Sequence, residues 1–239
     1  MQAIILAGGK GRRLEPYTTV LPKPLMPIGD HPILDIILRQ LKRAGINEII
    51  LAVGHMSHLF QAFFQDGSRY GLTINYSFEK EALGTAGPIA LAMDQLEEDF
   101  LVMNGDLLTN IHYANLYLYH KGKQAAATIA MFRRQVKIDF GVLEMDGDNK
   151  LVRYIEKPTY DFAVSMGVNV LHKSAIEPYL EYGKYLDIPD LLMSMQKEGL
   201  PVHCYSEDCH WLDIGRIDDY HLANEIFEAK RGEFLQDEI

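Results

Sequence analysis

Along the first half of the chain, continuous apolar runs alternate with amphipathic ones. "AIILA" (3–7), "NEIILAVG" (47–54), "LTINYSF" (72–78) and "FLVMNGD" (100–106) are short and rich in aliphatic residues, as strands buried on both faces require. Between them stand "PILDIILRQLKRAG" (32–45), "SHLFQAFFQDG" (57–67) and "GPIALAMDQL" (87–96). The first places Leu34, Ile37, Leu38 and Leu41 at helical spacing and stops at Gly45. Strand and helix in alternation predict an open α/β sheet with short crossovers.

The second half changes character. "GVLEMDGDNKLVRYIEKP" (141–158) has two strand-like runs about an Asp-Gly-Asp-Asn turn, which predicts a hairpin. "VSMGVNVLH" (164–172) predicts a strand, "DIPDLLMSMQKEG" (187–199) a helix with Asp187 near its start, and "RIDDYHLANEIFEAKRG" (216–232) a final helix. There is no repeat, low-complexity linker or composition shift, so the expectation is one unit with two lobes, 1–110 and 111–239.

Composition narrows the function classes. The 239 residues are 48% hydrophobic, enough for a sizeable core, and 33 acids against 23 bases give a net charge of −10. No basic run offsets that charge, which argues against nucleic acid or an anionic membrane as partner. No apolar run reaches the roughly 18 residues of a membrane span, and the amino terminus has no signal-peptide layout, so the expected location is cytoplasmic. Cys204 and Cys209 lie in "HCYSEDCH". His203 and Cys204 are neighbours in a run, "PVHCYS", that reads as a strand, so they would face opposite ways; two reduced thiols are expected rather than a zinc site.

The chemistry concentrates in "LAGGKGRRLEPYT" (6–18), where three glycines and three cations crowd behind the first strand. Ligands of open α/β sheets bind beyond the carboxyl ends of strands. A dinucleotide fingerprint needs a third glycine where Leu14 stands, and an ATPase loop needs Gly-Lys-Ser/Thr where this chain has Gly-Lys-Gly-Arg-Arg. A loop whose amides and cations wrap a triphosphate remains, against the plain alternative of a solvated turn. It needs another cation, and "LPKPLMPIG" offers Lys23, whose flanking Pro22 and Pro24 are expected to keep it out of a helix.

"AIILAGGKGRRLEPYT" and "LPKPLMPI", followed in order by "EALGTAGPIALA", "FLVMNGDLL", "GVLEMDG", "YIEKP" and "WLDIGR", resemble the sugar-1-phosphate nucleotidyltransferases over residues 1–223. The resemblance implies a Rossmann-like open, mixed, mainly parallel sheet with helices on both faces and a smaller sugar-binding lobe. It implies transfer of a nucleotidyl group from a nucleoside triphosphate to a sugar 1-phosphate, with Mg²⁺ and release of pyrophosphate. Arg13 and Lys23 are then the catalytic cations. Leu6, Ala7, Gly8, Gly9 and Gly11, with Glu79, Gly84 and Thr85, would bind the nucleotide. Gly141, Glu156, Lys157 and Ser165 would take the sugar phosphate, and Asp106 with Asp213 the metal. Arg12 departs from the threonine usual in the family. Relatives often carry a carboxy-terminal β-helix repeat domain, for which 239 residues leave no room, so a bifunctional acetyltransferase is not expected.

The base is the finer question. Relatives that use uracil or thymine commonly carry glutamine where this chain has Glu79, with Glu81 as the alternative acid. A carboxylate only accepts hydrogen bonds and so suits the adjacent N1–H and N2 donors of guanine, which favours GTP over UTP or dTTP. "LGTAGPIALA" is also similar to mannose-1-phosphate guanylyltransferases. A silent nucleotide-sugar sensor and a glycosyltransferase are the competing classes. The sequence names neither the sugar nor the pathway, and is compatible with a homo-oligomer.

Overall fold

The computed structural model describes residues 1–235. In chain order the elements are β1 (Gln2–Leu6), β2 (Pro27–Ile28), β3 (His31–Pro32), α1 (Ile33–Arg43), β4 (Glu48–Val53), α2 (Ser57–Phe64), β5 (Thr73–Phe78), α3 (Gly87–Ala92), β6 (Asp99–Asn104) and β7 (Leu107–Thr109). There follow α4 (Tyr113–Lys123), β8 (Ala127–Lys137), β9 (Val142–Met145), β10 (Leu151–Ile155), β11 (Thr159–His172), α5 (Lys173–Ile176), α6 (Ile188–Lys197), β12 (Val202–Tyr205), β13 (Trp211–Asp213) and α7 (Ile217–Phe234).

Seven strands form one sheet in the order β12-β8-β11-β6-β1-β4-β5. β1, β4, β5 and β6 run parallel; β11 is antiparallel to both β6 and β8, and β12 is parallel to β8. The sheet is therefore mixed and mainly parallel, as expected. Strand periodicity splits its apolar residues between two cores. Ala3, Ile5, Ile49, Leu51, Leu101 and Met103 pack with side chains of α1, α2, α4 and α7. The alternate residues Ile4, Ile50, Ala52, Phe100 and Val102 pack with α3, α5 and α6. Helices thus cover both faces of a Rossmann-like sheet.

Short elements such as β2, β3, β7, β13 and α5 escaped the sequence pattern, and so did two long ones, α4 and β8. α4 buries Tyr113, Leu116 and His120 but leaves Leu118 two-thirds exposed, so its apolar face is broken. β8 starts in the core at Ala127 and ends exposed at Lys137, paired with β11 on both sides of one irregularity. β11 accordingly starts at Thr159, earlier than its apolar run suggests. The expected hairpin is present as β9 and β10, antiparallel, and stands off the main sheet with Leu143, Met145, Leu151, Val152 and Tyr154 exposed. No helix among the described residues is long and apolar enough to cross a membrane.

Candidate active site

The carboxyl ends of β1, β4, β5 and β6 lie side by side, and the loops leaving β1, β5 and β6 line a cleft of about 510 Å³. The loop after β1 is pinned by Ala7 N donating to Ala52 O at 2.8 Å and by Gly105 N donating to Leu6 O at 3.0 Å. It turns at Gly11, whose φ of +62° lies in the left-handed region open to glycine. Its carbonyl accepts a bond from Thr18 Oγ1 at 2.9 Å, and Arg12 and Arg13, next in the chain, line the cleft. Leu6, Ala7, Gly8, Gly9, Gly11, Arg13, Lys23, Glu79, Gly84, Thr85 and Asp106 all line this cleft.

Glu79 is positioned by its own amide, which donates to Val53 O at 2.9 Å and so continues β5 past its end. Its carboxylate accepts from Leu83 N at 3.3 Å and lies so close under the first loop that a Cβ on Gly8 would overlap Oε1. Burial pushes the Glu79 carboxyl up from the ordinary carboxylate value, against the bond from Leu83.

Lys23 is almost fully buried, and the expectation that its prolines exclude helix is corrected: Lys23–Leu25 form a 3₁₀ turn. Proline is tolerated in a first turn because its missing N–H would have no partner there. The turn aims Nζ at Asp106 Oδ2, 2.6 Å away, and at Asp213 Oδ1, 3.7 Å away. The two aspartates meet because β7 and β13 pair antiparallel with Asp213 opposite Leu107, and Ile214 N donates to Asp106 O at 3.2 Å. Burial raises the Asp213 carboxyl, and the charge of Asp106 adds to the shift, while Lys23 and Arg13 oppose it. Asp106 Oδ1 is buried without a hydrogen-bond partner, an orphaned acceptor beside a second carboxylate. Paired oxygens of this kind fit a hard divalent cation that draws its remaining ligands from phosphate and water. No group of three or more His, Cys, Asp or Glu residues suited to a metal occurs among the described residues. Cys204 and Cys209 are free, and β12 carries His203 and Cys204 on alternate faces.

A second pocket of about 530 Å³ adjoins the first, and Thr85 and Asn104 line both. Ser165 and Asp213 lie in its wall with Asn169, Trp211 and residues of α6. Asn169 reaches it past an irregularity in the β11–β8 register between Ser165 and Asn169; its Oδ1 is buried and unpartnered. Sequence reasoning missed Asn104, Asn169 and Trp211, because their facing depends on strand registers that no local motif encodes. Gly141, Glu156 and Lys157 line neither pocket. Glu156 and Lys157 are exposed at the end of β10, and Gly141 lies against the Tyr154 ring.

A glycine-rich loop carrying cations, a buried lysine between two carboxylates and two adjoining pockets thus stand together at the carboxyl edge of the sheet. The chain belongs to the nucleotidyl transferase family, whose model matches residues 2–230. Similar proteins include the UTP–glucose-1-phosphate uridylyltransferase of Synechocystis, 31% identical over 93% of this chain and 62% of its own. The mannose-1-phosphate guanyltransferase of Schizosaccharomyces pombe is 32% identical over 92% of this chain and 62% of its own. Among solved structures, a Bacillus anthracis protein given as a glucose-1-phosphate thymidylyltransferase, in complex with sucrose, matches with a TM-score of 0.76 at 25% identity, over 95% of this chain and 94% of that one. The chain spans about 62% of the length of the curated relatives it matches.

Proposed function

We propose that the protein transfers a nucleotidyl group from a nucleoside triphosphate, GTP by preference, to a sugar 1-phosphate. The sugar-phosphate oxygen bonds to the α-phosphorus, the bond to the β-phosphate oxygen breaks, and pyrophosphate leaves. The observation that carries this reading is the pair of pockets meeting at Thr85 and Asn104, with Lys23, Asp106 and Asp213 at their junction. Two anions held in line there need cations more than covalent help.

In this reading residues 1–110 hold the triphosphate and residues 111–239 the sugar phosphate. Loop amides at Gly8, Gly9 and Gly11 cradle the phosphates, while Arg13 and Lys23 offset their charge, Arg13 most as pyrophosphate departs. Asp106 and Asp213 would hold Mg²⁺, which when bound supplies Lewis-acid neutralisation of phosphate oxygens. Ser165 lines the sugar pocket. Glu156 accepts from sugar hydroxyls and Lys157 holds the sugar phosphate, which requires the hairpin to come in over the second pocket; Gly141 gives the sugar ring room to approach.

GTP is favoured because an ionised Glu79 in the cleft wall accepts from two adjacent donors. One observation favours a second reading: burial raises the Glu79 carboxyl, and its protonated form would donate to a pyrimidine carbonyl of UTP or dTTP. Pyrophosphate release with GTP, UTP, dTTP, CTP and ATP, each against glucose 1-phosphate and mannose 1-phosphate, tests both. No release with any pair would contradict the reaction class and leave a nucleotide-sugar sensor.

A further inference from the structure

The wall of the first pocket and the wall of the second are joined by a clasp between two loops about a hundred residues apart. Leu186 N donates to Leu83 O at 3.0 Å, and Leu186 O accepts from Ala86 N at 2.8 Å and Gly87 N at 3.1 Å. Asp187 Oδ1 accepts from the amide of Thr85 at 3.0 Å and from its hydroxyl at 3.1 Å, and the same hydroxyl accepts from Ile188 N at 2.8 Å. Asp187 stands at the N-cap of α6, yet its carboxylate makes no capping bond to its own helix. The Thr85 hydroxyl therefore satisfies the first helix amide, that of Ile188, which an N-cap side chain ordinarily leaves to water.

The clasp ends in the nucleotide cleft. Tyr185 lines the first pocket and is 64% exposed, and its hydroxyl donates to Asp187 Oδ2 at 2.7 Å. Aromatic faces at the edge of a nucleotide pocket offer a stacking platform for a base. At the other end, Ile188, Pro189, Leu192, Met193 and Gln196 of α6 form one wall of the second pocket. The same short segment thus carries a ring into one site and sets the helix that shapes the other.

We propose that Asp187 is a positioning residue: through Thr85 and Tyr185 it couples occupancy of the nucleotide pocket to the seat of α6, and so to the affinity for sugar 1-phosphate. The proposal rests on the nucleotidyl-transfer reading. Ordering of the loop by one ligand is then already complete when the second arrives, and by linkage each ligand tightens the other by the same factor.

The test is calorimetric titration of the full chain with whichever of glucose 1-phosphate or mannose 1-phosphate it turns over, with and without saturating α,β-methylene GTP and Mg²⁺. The wild type should bind the sugar phosphate about tenfold more tightly with the analogue present, within the range typical of coupled sites. Asp187→Ala should reduce that factor below about twofold while each ligand alone still binds, a pattern that a purely structural lesion would not produce. Should Asp187→Ala fail to fold, Tyr185→Phe, which removes only an exposed hydroxyl, should lower the factor on its own. Independent binding in the wild type, or full coupling in the variant that folds, overturns the proposal. Failure of both ligands to bind at all overturns the nucleotidyl-transfer reading and the proposal with it.

Discussion

Lys23 Nζ lies 2.6 Å from Asp106 Oδ2, while the other oxygen of that carboxylate is buried and unpartnered. With Asp213 Oδ1 3.7 Å from the same ammonium, the junction of the two pockets holds one cation between two acids. A divalent ion there would balance the carboxylates and leave charge to spare for phosphate. Asp106→Asn and Asp213→Asn should each lower kcat by about a hundredfold or more with the melting temperature little changed. Pyrophosphate release across a magnesium titration checks this; near-normal turnover at limiting magnesium would remove the metal assignment.

Glu79 should set the base and give it a pH dependence. In the proposed GTP reading guanine binds the ionised carboxylate, and burial raises the carboxyl above its ordinary value of 4.5. Protonation on acidification therefore weakens GTP binding, and kcat/KM for GTP should fall on the acid side at a pH higher than an exposed glutamate would give. Glu79→Gln should flatten that limb and move preference toward UTP or dTTP. A GTP preference and acid limb both unchanged in Glu79→Gln would take this residue out of the base site.

Gly8→Ala tests the same contact from the other side. Its added Cβ would overlap Glu79 Oε1, so the carboxylate must swing out of place. The expected result is a loss of about tenfold in kcat/KM for GTP, the cost of roughly one misplaced charged hydrogen bond. Unaltered nucleotide kinetics would show that the side chain relocates freely.

Lys157 is exposed on the hairpin and outside both pockets. If the hairpin closes on the sugar phosphate, Lys157→Ala should raise its KM about tenfold and leave the KM for triphosphate unchanged. An effect confined to the triphosphate would exchange the roles of the two lobes.

Much of this was legible in the sequence because local patterns carry it. The continuous apolar runs of β1, β4 and β6 and the spacing of Leu34, Ile37, Leu38 and Leu41 in α1 need no partner to be read. The loop residues that line the first pocket follow a strand end in order, so their motif and their place coincide. What was not legible depends on pairing between distant segments. β8 is apolar at its start and becomes polar once it leaves the core, so it lacks a sustained period. Asp187 reads as a helix start, and nothing local says that its carboxylate serves Thr85 instead.

A buried cluster at the opposite end of β6 was equally hidden. Asp99 accepts from His172 Nδ1 at 2.7 Å and from His120 Nε2 at 3.2 Å, and pairs with Lys121; Thr128 Oγ1 lies 2.9 Å from His120 Nδ1. Burial pushes the His120 imidazole below its ordinary 6.5. Burial alone would raise Asp99, but the bonds from Lys121, His172 and His120 hold it below 3.8. Both groups bind protons more readily unfolded, so their stabilisation is complete above pH 6.5 and declines on acidification, first through His120 and then below 3.8 through Asp99. Melting temperatures between pH 7 and 5 should fall less in His120→Gln than in the wild type; equal falls would place the acid sensitivity elsewhere.

Isotope exchange tests nucleotidyl transfer to a sugar phosphate most directly. A purified nucleoside diphosphate sugar, GDP-mannose or UDP-glucose, is incubated with Mg²⁺ and labelled pyrophosphate, and label is sought in the triphosphate. Attack of pyrophosphate on the same α-phosphorus, the reverse of the proposed step, predicts labelled GTP or UTP formed in step with released sugar 1-phosphate, and less of it by about a hundredfold or more with Asp106→Asn. Tight binding of the nucleotide sugar without any labelled triphosphate would contradict the claim and make the protein a sensor.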